Sequence, residues 1–106
     1  MSGEKKYEKQ LRETVQKLGG KALKFWCVSF TGFPDRMVLM PGGRIHFVEL
    51  KSPDKQPTPR QLVVHRQLRA LGFPVHTINN QFGLLQFLNT IKKHDHERQT
   101  TRTDRH

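Results

Sequence analysis

Tyr7, Leu11, Val15 and Leu18 recur at steps of 4, 4 and 3, which sets them on one face of a helix over residues 4–18. Gly19-Gly20 ends that helix. The apolar run from Lys21 to Phe30 predicts a strand, with Trp26 as its anchor in the core. Thr31-Gly32-Phe33-Pro34 then turns the chain into a strand over residues 35–40. Pro41-Gly42-Gly43 closes a hairpin onto a further strand over residues 44–51. Residues 52–57 are a polar loop. Thr58 has the position of an N-cap, Pro59 that of the first helical residue, and Gln61 that of a capping-box partner for a helix running to Leu71. A short strand over residues 74–78 and a helix from Asn80 to about Lys92, with Phe82, Leu85 and Leu88 on one side, complete the pattern.

The order α-β-β-β-α-β-α predicts a mixed sheet flanked by helices, with the helix over 58–71 forming one right-handed crossover. The length of 106 residues suits one domain, over residues 1–93. Residues 94–106 carry no apolar side chain and are expected to be a disordered basic tail.

Charge narrows the partner. Lys and Arg outnumber Asp and Glu by 19 to 9, for a net charge of +10. A polyanion such as nucleic acid is the expected partner. A lone Cys27 excludes an intramolecular disulfide and a cysteine-rich zinc site, and in its apolar run it is expected to be a small buried side chain. No signal region and no span of about 20 apolar residues are present, so a soluble cytoplasmic protein is expected, with no membrane partner.

The chemistry concentrates at Glu49-Leu50-Lys51. Side chains along a strand alternate, so Glu49 and Lys51 share a face with Ile45 and Phe47, where unpaired charges would be costly. Asp35 lies fourteen residues upstream, at the start of the neighbouring strand. Only six acidic side chains occur in residues 1–91, and two of them stand at these apolar strand ends. Asp35 and Glu49, with the carbonyl of Leu50, are the oxygen donors a magnesium ion requires, and Lys51 could orient a water or hold a phosphate. The competing reading of Glu49 and Lys51 is an ordinary cross-strand salt bridge. On the first helix Glu8 borders the apolar stripe, Glu13 points away and Glu4 sits at the end, so Glu8 is the candidate to touch a metal through water. Gln61 falls on the inward face with Val64, Leu68 and Leu71, and reads equally as a site residue and as a capping residue. His46, His65 and His76 stand singly and read as structural or surface residues, and His94-Asp95-His96 as a solvated run. Lys5, Lys6, Lys9 and Arg12, with Arg60, Arg66 and Arg69, are candidates to contact DNA phosphates.

Gly32-Phe-Pro-Asp35, Gly42-Gly-Arg44, Phe47-Val-Glu-Leu-Lys51, Thr58-Pro-Arg-Gln61, Leu68-Arg-Ala-Leu-Gly72 and Val75 resemble, in order and spacing, the VRR-NUC domain of the PD-(D/E)xK nuclease superfamily. The resemblance covers residues 4–91 and implies a restriction-endonuclease-like α/β core and a Mg²⁺- or Mn²⁺-dependent DNA endonuclease without a nucleotide cofactor. Carried over by residue, it implies Glu8 as the helix-one acid, Asp35 and Glu49 as metal ligands, Lys51 as the lysine and Gln61 as the glutamine. Stand-alone members are similar to small phage-type proteins acting as homodimers on branched DNA such as four-way junctions. The alternative is a basic nucleic-acid-binding module whose nuclease site is vestigial.

Overall fold

A computed structural model describes the backbone of residues 3–104 and the side chains of residues 4–94. The elements are α1 (Gly3–Lys17), β1 (Lys21–Lys24), β2 (Arg36–Met40), β3 (Arg44–Leu50), α2 (Pro59–Ala70), β4 (Val75–Ile78) and α3 (Gln81–Asp104). The four strands form one sheet in the order β1-β2-β3-β4. The first three are antiparallel neighbours, whereas β4 runs parallel to β3 after the crossover through α2. The expected order of elements is the order observed.

Strand alternation splits the core in two. Val38, Met40, Val48, Leu50 and Ile78 point towards α1 and α3, where they meet Tyr7, Leu11, Val15, Leu84, Phe87, Leu88 and Ile91. Phe47 and Val75 point the other way, towards Val64 and Leu68 of α2, with Phe33, Met37 and Ile45 at the margin. The expected stripe of α1 is thus its buried stripe. That of α3 is not: Phe82 is 68% exposed, and Leu85 is exposed as well. The buried set of Leu84, Phe87, Leu88 and Ile91 follows the i, i+3, i+4, i+7 spacing of one helical face. Asn80 fixes that register as N-cap, its side-chain oxygen accepting the Gly83 N–H at 2.7 Å.

A further expectation is overturned. The first strand stops at Lys24, because its ladder with β2 ends at the Lys24–Arg36 pair. Phe25 still donates its N–H to the Asp35 carbonyl at 2.8 Å, but the next partner position falls on Pro34, whose nitrogen carries no hydrogen. Residues 25–34 therefore form a loop, and Trp26 is 82% exposed instead of anchoring the core. Phe25 and Phe33 hold the loop down, their rings 5.2 Å apart, and Phe33 lies 5.2 Å from Phe47. Cys27 in this loop is half-buried. The backbone of α3 runs from Gln81 to Asp104. The apolar pattern ends near Ile91, yet no glycine or proline follows to stop a helix. The side chains of residues 95–106 lie outside the described set.

Among the described residues, no helix is long and apolar enough to cross a membrane.

Candidate active site

Asp35 and Glu49 meet because β2 and β3 are antiparallel. Arg36 pairs with Val48, so the preceding Asp35 stands beside the following Glu49 at one end of the sheet. The turn that delivers Asp35 passes directly over α2. Gly32 there has a φ of +84°, and a Cβ would lie 2.9 Å from Arg60 Cγ, so both the conformation and the space call for glycine. Arg60 fastens the turn: its Nε donates to the Thr31 carbonyl at 3.3 Å and its guanidinium lies 5.4 Å from the Phe30 ring centre.

Each carboxylate is held by a specific partner. Asp35 Oδ1 accepts the backbone N–H of Leu50 at 3.0 Å, and Oδ2 lies 3.6 Å from Arg36 Nη1. The first bond ties Asp35 to the peptide immediately after Glu49. Glu49 is only 3% exposed, and its Oε1 lies 3.4 Å from Nε2 of His65 on α2. Burial raises both acids, for Asp35 against the pull of the Leu50 N–H and Arg36. Glu49 is pushed up to about 7 by burial and then by the charge of Asp35, with Lys51 opposing. A buried Glu49 beside a half-buried Asp35, the charge of Asp35 raising the proton affinity of Glu49, forms a site short of positive charge.

Glu4 and Glu8 of α1 differ in their electrostatics. Glu4 raises both Asp35 and Glu49, whereas Glu8 acts on neither. Glu8 instead reaches along the helix to Arg12, with Oε1 3.7 Å from Nε. Gln61 occupies its alternative role. It completes a capping box, its Oε1 accepting the Thr58 N–H at 2.9 Å and its own N–H donating to Thr58 Oγ1 at 3.2 Å. Lys51 is half-buried at the end of β3, where its charge lowers the pKa of Glu49 and of His65. Lys5, Lys9 and Arg12 on α1, and Arg60 and Arg66 on α2, are exposed. Arg69 is diverted to a structural bond, Nη2 donating to the Val75 carbonyl at 2.9 Å.

His65 is the residue the sequence reading passed over. It is fully buried, between the core positions Val64 and Leu68. That inward placement, one turn after Gln61, was the available signal. His46 and His76 are not isolated either. Their rings lie 5.6 Å apart on the opposite face of the sheet, and His94 stacks on His46 at 6.2 Å.

The residues suit a hard divalent cation. Among the described residues no three His, Cys, Asp or Glu side chains form a ready-made metal cluster. Magnesium needs none: it takes one or two carboxylates and completes its octahedron with water and phosphate oxygens. Asp35 and Glu49 would supply those carboxylates.

No family model matches the chain. A phage protein is similar: "Putative nuclease p44" of Acyrthosiphon pisum secondary endosymbiont phage 1 is 47% identical over 74 residues, covering 70% of this chain and 80% of that protein. A solved structure described as a VRR_NUC domain superposes with a TM-score of 0.78 at 29% identity, covering 84% of this chain and 97% of that one. With this sheet order and the paired acids, these likenesses make the chain a member of the VRR-NUC nuclease family.

Proposed function

We propose that this nuclease is a Mg²⁺- or Mn²⁺-dependent DNA endonuclease that resolves branched DNA, such as four-way junctions, as a homodimer in the cytoplasm of a bacterial or phage-infected host. The observation that carries the reading is the convergence of Asp35 and Glu49, locked through the Leu50 N–H. Asp35, Glu49 and the Leu50 carbonyl would hold the cation. When bound, it polarises the scissile phosphate and lowers the pKa of an attacking water. Lys51 would hold and orient the phosphate from the end of β3, and an acid of α1, Glu8 or Glu4, would accept a hydrogen bond from a water at the site. Lys5, Lys9, Arg12, Arg60 and Arg66 bind the DNA backbone, which makes affinity salt-dependent.

The dimer follows from the substrate. A junction presents two scissile strands related by approximate two-fold symmetry, and a two-fold dimer carries two matching sites. Phe87 and Ile91 of α3 are buried in the core and offer no surface to a second copy. The exposed apolar side chains of Trp26, Val28 and Leu71 are the surface we assign to the second copy instead.

Incubating the protein with labelled duplex, single-stranded and four-way-junction DNA, with Mg²⁺, Mn²⁺ or a chelator, tests the reading. Junction cleavage that requires a cation is expected. Cleavage in chelator refutes the metal role, and equal cutting of junction and duplex refutes the branched substrate. A single 12.4 kDa species by light scattering at micromolar concentration refutes the dimer.

A further inference from the structure

We propose that His65 is a positioning residue for the metal ligand Glu49: its Nε2–H fixes one carboxylate oxygen so that the other is presented to the cation. The inference rests on the metal role proposed for Glu49 and goes beyond it, because no cation ligand on α2 is part of that role.

Three observations carry it. Nε2 of His65 and Oε1 of Glu49 are 3.4 Å apart, with the two side chains 1% and 4% exposed. Glu49 has no other side-chain partner among the hydrogen bonds of the described residues, so without His65 its carboxylate would rotate freely about its last bond. Nδ1 of His65 is buried with no partner, so the imidazole is not held in place from its other side. A neutral imidazole has one N–H and one lone pair. Facing a carboxylate oxygen at 3.4 Å, the N–H belongs on Nε2. The ring itself is rigidly placed, because Val64 and Leu68 on either side of it are packed into the α2 cluster. The ring is aimed from the crossover helix at a single oxygen of the acid. Groups that hold a ligating carboxylate in orientation contribute to metal affinity without touching the metal.

The test measures Mn²⁺ alone, by calorimetry, on the full chain without DNA. His65→Leu fills the same space without a donor and is expected to weaken Mn²⁺ binding by about 10- to 100-fold. Its metal-free melting temperature and its KM for junction DNA should stay near wild type. His65→Gln places an amide N–H near the position of Nε2 and should restore affinity to within a few-fold. His65→Asn reaches only the position of Nδ1 and should not. That last contrast also decides the matter if the leucine variant fails to fold. Wild-type Mn²⁺ affinity in His65→Leu, or equal affinities for His65→Gln and His65→Asn, would overturn the proposal. Glu49→Ala separates it from the reading on which it rests. If that variant binds Mn²⁺ normally, Glu49 is not a ligand; if it loses binding while His65→Leu retains it, only the positioning role is wrong.

Discussion

The two faces of the sheet treat buried ionisable groups in opposite ways. Towards α1 and α3 lies the larger apolar cluster, and its imidazoles are left without partners: Nδ1 of His46 and Nε2 of His76 are buried and unbonded. Towards α2 lies a smaller cluster, and there the buried acid Glu49 has both a histidine and a neighbouring carboxylate beside it. The first face holds the fold together and keeps its histidines uncharged. The second gives up apolar burial to hold two acids close together. That placement suits a site that a cation completes.

The largest expected effect belongs to the α2 face. Asp35→Ala and Glu49→Ala should each lower junction cleavage by more than about a hundred-fold, the scale of losing one group that stabilises developing charge. Circular dichroism and DNA binding in chelator should be unchanged. Near wild-type cutting by either variant would remove the functional distinction between the faces.

Stability should show the reverse pattern. Leu11→Ala, at a fully buried position of the larger cluster, is expected to cost about 2–5 kcal/mol. Trp26→Ala, in the exposed loop, should change stability by less than about 0.5 kcal/mol. Denaturant melts at low protein concentration, where no dimer forms, measure both.

The faces should also respond to pH with opposite signs. Glu49 is raised from 4.5 to about 7, so its contribution to stability is full below pH 4.5 and is lost as pH rises through 7. His46 is lowered from 6.5 to about 4, by burial and then by His76, so its contribution is full above pH 6.5 and is lost as pH falls through 4. Each effect is at most on the order of 3 kcal/mol, at about 1.4 kcal/mol per unit. In chelator, Glu49→Gln should therefore melt above wild type at pH 8 and close to it at pH 4.5. His46→Phe should lose less stability than wild type between pH 6.5 and 4. Parallel pH profiles for the two variants would contradict the comparison.

The smallest effect concerns the start of α2. Thr58→Ala breaks the capping box and should cost about 1 kcal/mol. If Gln61 serves only as a cap, Gln61→Ala should resemble it in stability and retain most of its activity. A large fall in kcat would return Gln61 to the catalytic group.

The site was legible to the extent that it is local. Asp35, Glu49 and Lys51 could be picked out because charges at apolar strand ends break a pattern, and strand alternation says which face they share. The helical wheel could not tell which of Glu4 and Glu8 acts on the two acids. The wheel gives angular position about the axis, whereas the distance to the carboxylates depends on where α1 begins relative to the sheet. Trp26 was misplaced for a related reason. Its neighbours have strand composition, but a strand exists only as long as its partner does, and Pro34 ends the ladder. In α3 two apolar stripes competed, and Phe82 and Leu85 lost because Asn80 sets where the helix starts.

By itself, the sequence determined the order of elements, the capping box at Thr58, the buried stripe of α1 and the pair of acids on neighbouring strands. These depend on spacing and on bonds between residues a few positions apart, which a linear pattern records. Only the tertiary structure decided that Trp26 is exposed and that His65 faces Glu49 from sixteen residues away. Those outcomes depend on how the loop and the crossover helix pack on the sheet, and packing is settled by the shape and burial of the whole core.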